Sequence, residues 1–262
     1  MSLLEFVAIL VAGVGAGTIN TIVGSGSLIT FPTLLFFGVP PVVANMSNTV
    51  GLLPGGVTGL VGYRRELRGI LFWAKRLIPA SLLGGAIGAT LLLVLPQSVF
   101  EAVVPLLVGV GVVLVLAGPR LQRWVVDRKA ASVDDESSGF HGTHHPVVLG
   151  VLVFLTGIYG GYFGAAQGVI LIGVLNVLLA APLQHLNAVK NALGFAANAI
   201  AASVFMAVRA DEVDWMIALA IGIGTLIGGF VGAGVGRRLP PAILRAVIVV
   251  VGVTAIVYLT LT

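Results

Sequence analysis

Gly13-Val14-Gly15-Ala16-Gly17-Thr18-Ile19-Asn20-Thr21-Ile22-Val23-Gly24-Ser25-Gly26-Ser27-Leu28-Ile29-Thr30-Phe31-Pro32 lies within an apolar stretch running from Leu3 to Val39. It is poor helix sequence. Each interior glycine costs about 1 kcal/mol relative to alanine, and Ser, Thr and Asn compete for backbone hydrogen bonds. Unbroken, the whole stretch would run ~54 Å as a helix, too long for a hydrocarbon core of ~30 Å. A break is therefore expected near Gly24 to Ser27. At membrane depth a break is tolerated only where it is buried in protein or lines a polar cavity. A helix restarting there turns its N–H groups and positive dipole end inward, an arrangement suited to an anion.

The bilayer is inferred from composition. Of 262 residues, 58% are hydrophobic and 9% charged, where soluble domains carry roughly 25% charged residues. Apolar runs recur along the chain, and their helical lengths, separated by Gly and Pro, indicate a helical bundle rather than a barrel. The absence of cysteine excludes disulfides, thiolate metal sites and thiol catalysis. Met1 to Ala12 has no basic residue before its apolar run and carries Glu5, so it reads as a retained helix rather than a cleaved signal. The net charge of +4 resides largely in short loops, which speaks for orientation in a membrane and against nucleic acid as a partner.

The plan is repeated. The first half has its Gly-rich stretch, then a polar-studded helix from about Val42 to Tyr63 containing Ala44-Asn45-Met46-Ser47-Asn48. A charged loop ending in Trp73, the segment Gly84-Gly85-Ala86-Ile87-Gly88-Ala89 and Leu95-Pro96 follow. The second half has Val147 to Ala181, then Asn187-Ala188-Val189-Lys190-Asn191, a charged loop ending in Trp215, Gly228-Gly229-Phe230-Val231-Gly232-Ala233, and Leu239-Pro240. The displacement is about 140 residues throughout. Order and spacing of this kind mark an internal duplication. The chain is read as residues 1–118, a first helical repeat; 119–145, a hydrophilic linker; and 146–262, a second helical repeat. Each repeat has about four to five membrane segments. His141, His144 and His145 of the linker are set aside as metal ligands, since no cysteine or rigid element supports them.

Arg64, Arg65, Arg68, Lys75 and Arg76 mark one loop as cytoplasmic. In the second half the loop before Trp215 sets Arg209 against Asp211, Glu212 and Asp214, while Arg237, Arg238 and Arg245 come one helix later. This shift of positive charge favours inverted over parallel repeats.

Two constellations carry the candidate chemistry. The first is the pair of breaks: Asn20, Thr21, Gly24, Ser25, Gly26 and Ser27 in one half, Gly164, Gln167 and Gly168 in the other. Their matched placement with hydroxyl and amide companions favours a site. Gly84/Gly88, Gly228/Gly232 and Gly232/Gly236 lack such companions and read as close-packing positions. The second is the pair of polar helix starts: Asn45, Ser47 and Asn48, against Asn187, Lys190 and Asn191. A lysine within an apolar segment costs on the order of 3 kcal/mol at mid-membrane and should face a partner or a wet path, unless it snorkels to the interface. Asn48 and Asn191 match each other and could equally bond a neighbouring helix.

Enzymatic patterns are absent. There is no Gly-x-Ser-x-Gly, no phosphate loop, no His-Glu-x-x-His and no intramembrane carboxylate pair, so no catalytic residue and no cofactor is expected. Asn45-Met46-Ser47 matches a glycosylation sequon but lies in an apolar segment.

The segments Asn20 to Pro32, Ala44 to Thr49, Asn187 to Asn191 and Val213-Asp214-Trp215 resemble the sulfite exporter TauE/SafE family of membrane permeases, over nearly the whole chain. That resemblance implies two duplicated helical units and the transport of sulfite, sulfoacetate, other sulfonates and related small anions. The chain departs from the family with Gly24-Ser25-Gly26-Ser27 in place of a glycine run, and with Ser47-Asn48-Thr49 where Thr-Asn-Lys is common, which leaves Lys190 as the one intramembrane cation. The expectation is an all-α, multi-pass carrier in the cytoplasmic membrane of a bacterium or archaeon, with an anion channel or a scaffold as rivals. Homo-oligomerisation is left open.

Overall fold

The computed structural model describes residues 1–131 and 145–234, with 246, 248–251, 253 and 254. Among these there are helices and no strands. The elements are α1 (Leu3–Ile22), α2 (Ser27–Phe36), α3 (Pro41–Gly51), α4 (Leu53–Gly62), α5 (Arg64–Gly69), α6 (Leu71–Val94) and α7 (Gln97–Ala131). Then come α8 (Pro146–Tyr162), α9 (Gln167–Leu178), α10 (Leu183–Val208), a short 3-10 turn (Ala210–Glu212) and α11 (Trp215–Gly234).

Among the described residues, five helices are long and apolar enough to cross a bilayer: Leu3–Ile22, Leu71–Val94, Gln97–Gly118, Leu183–Val208 and Trp215–Gly234. Many of their large apolar side chains face outward, among them Val11, Leu83, Leu106, Leu219 and Phe230. In water such a surface would drive aggregation; in lipid it is the proper exterior. The protein is a multi-pass helical membrane protein.

Both Gly-rich stretches are broken. The first is interrupted at residues 23–26, where Gly24 takes φ 85°, and the second at 163–166, where Gly164 takes φ 77°. The polar helix of the first half is also divided, between α3 and α4, which the sequence reading did not expect. Pro54 in the first turn of α4 has no N–H to offer the preceding turn. Its counterpart α10 has no proline and runs unbroken. The segment assigned to the linker differs as well: α7 continues to Ala131, over a run of Arg, Lys, Leu, Gln and Ala with good helix propensity. Residues 132–144 of the linker, including His141 and His144, lie outside the described residues, as do Gly236, Arg237, Arg238, Leu239, Pro240 and Arg245.

The packing interlocks the chain. The first helix of each half lies chiefly on the Gly-rich helix of the other: α1 on α11, and α8 on α6. A methyl added at Gly224 or Gly228 would meet Leu10 O at 2.3 Å or Val14 O at 2.0 Å. Added at Gly84 or Gly88, it would meet Phe154 O at 2.2 Å or Ile158 O at 2.1 Å. Small residues four apart thus let helix backbones touch, where lipid offers no hydrophobic gain for association. Hydroxyls add cross-helix bonds, with Thr18 Oγ1 donating to Gly228 O at 3.0 Å across the α1–α11 seam and Ser81 Oγ of α6 to Leu193 O of α10 at 2.7 Å. Gly228→Val is expected to destabilise the protein by about 3 kcal/mol through overpacking. Gly150→Ala, which meets nothing within 4 Å, should be neutral or stabilising. Thermal unfolding in detergent distinguishes the two, and equal midpoints would contradict the packing account.

Candidate functional site

Thr21 and Ile22 end α1 just before its break, so their carbonyls have no partner within the helix. Lys190 of α10, 2% exposed, reaches them from the other half. Its Nζ donates to Thr21 O at 3.4 Å and Ile22 O at 3.3 Å, and Asn191 Nδ2 donates to Thr21 O at 3.4 Å. Lys190 therefore does not snorkel; it points inward at the negative end of α1. These bonds are long and leave the ammonium open to a stronger acceptor.

Beside Lys190 is a cavity between the two breaks. The space open to water centres is about 30 Å³, where one buried water needs on the order of 10–15 Å³. Nine of the expected residues line it: Asn20, Thr21, Gly24, Ser27, Gly164, Gln167, Gly168, Lys190 and Asn191. The breaks meet directly, with Gly168 N donating to Gly24 O at 2.9 Å. A methyl on either glycine would come within 2.4 Å of the other's Cα. Gln167 is 4% exposed and its Nε2 has no partner.

The other six expected residues are elsewhere. Gly26 packs against Ala16 O, which a methyl would approach to 2.5 Å. Ser25 is buried outside the lining, its Oγ without a partner. Asn45 Nδ2 donates to Tyr162 O at 2.9 Å, at the end of α8. Ser47 Oγ accepts from Asp214 N at 2.8 Å. Asn48 accepts from Thr30 Oγ1 and donates to Ser27 Oγ at 3.3 Å. Asn187 is half-buried and does not line the cavity.

The two polar helix starts do matching jobs with different residues. Each caps the broken first helix of the opposite half, Lys190 at Ile22 and Asn45 at Tyr162. Phe163 fills the break and stands edge-on to Phe31, with ring centroids 5.1 Å apart, and to Phe100 at 6.1 Å.

The free N–H groups expected at the restarted helices are largely engaged. In α9, Gly168 N is held by Gly24 O, and Val169 N and Ile170 N by Ala166 O. In α2, Leu28 N is held by Ser25 O, and Ile29 N and Thr30 N by Gly26 O. Tight 3-10-type turns close both helix starts, so the polarity presented to the cavity comes mainly from side chains.

Sequence reasoning missed Leu52, Leu53, Gly55, Gly56 and Gly59 of the α4 region, and Gly194, Phe195 and Asn198 of α10, all of which line the cavity. A signal was present. Leu52, Gly55, Gly56 and Gly59 keep the spacing i, i+3, i+4, i+7 of one helix face, and Asn191, Gly194, Phe195 and Asn198 keep the same spacing. His145, at the start of α8, is exposed.

The family model described as sulfite exporter TauE/SafE matches residues 9–259. A probable membrane transporter protein, ORF9, of Sinorhizobium sp is 28% identical over 93% of this chain and 87% of its own length. A probable membrane transporter protein of Haemophilus influenzae is 26% identical, over 91% of this chain and 88% of its own length. The probable membrane transporter protein YfcA of Escherichia coli is 27% identical, over 91% and 80%. No solved structure matches the chain.

Proposed function

The chain belongs to the sulfite exporter TauE/SafE family, a family of membrane transporters, and from that premise we propose that it carries a small anion, a sulfur oxyanion such as sulfite or an organosulfonate such as sulfoacetate, across the cytoplasmic membrane. The observation that carries this reading is Lys190, a buried lysine lining a polar cavity between two helix breaks. Its only hydrogen-bond partners among the described residues are backbone carbonyls. A buried charge is costly unless paired, and an anionic guest is the pairing this cavity can accept.

In this reading Lys190 supplies the charge, and Asn20, Asn191, Asn198 and Gln167 supply amide hydrogen bonds. The glycines Gly24, Gly164 and Gly168 let backbone approach the guest. The cross-packed units, one built on α1 with α11 and the other on α8 with α6, rock about the Gly24–Gly168 crossing to expose the cavity to alternate sides. The test is flux in proteoliposomes of the purified protein, with labelled sulfite on both sides of the membrane. Saturation together with counterflow is the expected result. Linear flux without counterflow would favour a channel, and no flux of sulfite or any sulfonate would remove the proposal.

A further inference from the structure

We propose that the cavity selects by charge, accepting monoanions and rejecting dianions of the same shape; within the transport reading above, on which this rests, hydrogensulfite and singly charged sulfonates are favoured over doubly charged sulfite and sulfoacetate. Among the residues lining the cavity, Lys190 alone carries a charge. The groups nearest its Nζ are Thr21 O and Ile22 O, the negative end of α1, which subtracts from the ammonium's field.

Two helix starts, at Ser27 and Gln167, also reach the cavity and would add more positive potential if all their amides were free. Ser27 N alone among them has no partner within the described residues. Gly168 N is turned to Gly24 O, and the following amides of both helices are bonded within their own first turns. What remains for a guest is neutral, chiefly the side-chain amides of Asn20, Asn191, Asn198 and Gln167, with the partnerless Nε2 of Gln167 as a buried donor in waiting.

This set compensates one negative charge. A second would stand unpaired inside a low-dielectric interior, a penalty of roughly a hundredfold in affinity if it matches that of a lone charge at mid-membrane. Nor can a dianion keep its hydration shell, because the space open to water centres is about 30 Å³ and admits only two or three waters.

Two pairs of anions separate charge from shape. Methanesulfonate and sulfate, and sulfamate and thiosulfate, are all tetrahedral at sulfur and hold their respective charges at one neutral pH. Each is offered as competitor and as labelled substrate to the purified protein in proteoliposomes. The expected result is that the monoanion of each pair is taken up and the dianion competes at least tenfold more weakly, a deliberately lenient bound on the penalty above. Asn198→Lys, which adds a second cation to the lining, should narrow the gap for sulfate, whereas Asn198→Gln should not.

Equal or better competition by the dianions in the wild-type protein overturns charge selection while leaving transport intact. Transport of none of the four anions, together with no flux of sulfite or any sulfonate in the assay above, overturns the transport reading itself. The wild-type comparison is decisive even if Asn198→Lys does not fold. A folded Asn198→Lys with unchanged preference also counts against the proposal.

Discussion

Lys190→Ala is expected to lower anion flux by roughly a hundredfold or more, with the protein still inserted and monodisperse in detergent. A hydrogen bond to a charged partner contributes about 1.5–3 kcal/mol, and loss of the sole compensating charge in a membrane interior adds to it, while each 1.4 kcal/mol is tenfold in binding. The fold should tolerate the change. It removes a buried ammonium held only by bonds of 3.3 and 3.4 Å, and Asn191 Nδ2 still donates to Thr21 O. Lys190→Arg keeps the charge in a bulkier head and should retain part of the flux. Counterflow at several concentrations is the measurement, and wild-type flux in Lys190→Ala would take Lys190 out of the site.

Gly24→Ala should be the most damaging methyl in the chain's centre. At φ 85° a side chain costs about 1–2 kcal/mol, and its Cβ would lie 2.4 Å from Gly168 Cα. Backbone on that side cannot move without parting the two breaks, so the combined loss is expected at about 3–5 kcal/mol. Gly38 is the control. It has φ 77° but nothing within 4 Å of an added methyl, so Gly38→Ala should show only the backbone part, about 1–2 kcal/mol. The two unfolding midpoints in the same detergent decide the matter. Equal losses would mean that the crossing of the breaks contributes no close packing.

What could be read from the chain followed the physics that acts locally. The break near Gly24 was legible because glycine, serine and threonine depress helix propensity over several consecutive residues. The packing role of Gly84, Gly88, Gly228 and Gly232 was legible from spacing alone. Asn45, Ser47 and Asn48 looked as suitable for a guest as Asn191 does. Only the tertiary arrangement shows that Tyr162 O, Asp214 N, Thr30 and Ser27 occupy them. For Lys190 the sequence allowed both an inward and an interfacial position, and the choice depended on where α1 ends, a residue pair 168 apart in the chain. The cavity faces of α4 and α10 went unread because glycine and phenylalanine on a membrane helix resemble ordinary packing. The division at Pro54 had a plain local cause that was overlooked.

The cross-laced seams bear on how the chain matures. A ribosome delivers α1 to the bilayer long before α11 exists, so the carbonyls of Leu10 and Val14 that will abut Gly224 and Gly228 first face lipid or a transient neighbour. Neither half owns a complete set of contacts, and α8 likewise depends on α6 from the earlier half. The native bundle can close only near the end of synthesis, and a nascent chain halted before α11 is an unlocked assembly without the clasp that holds α1.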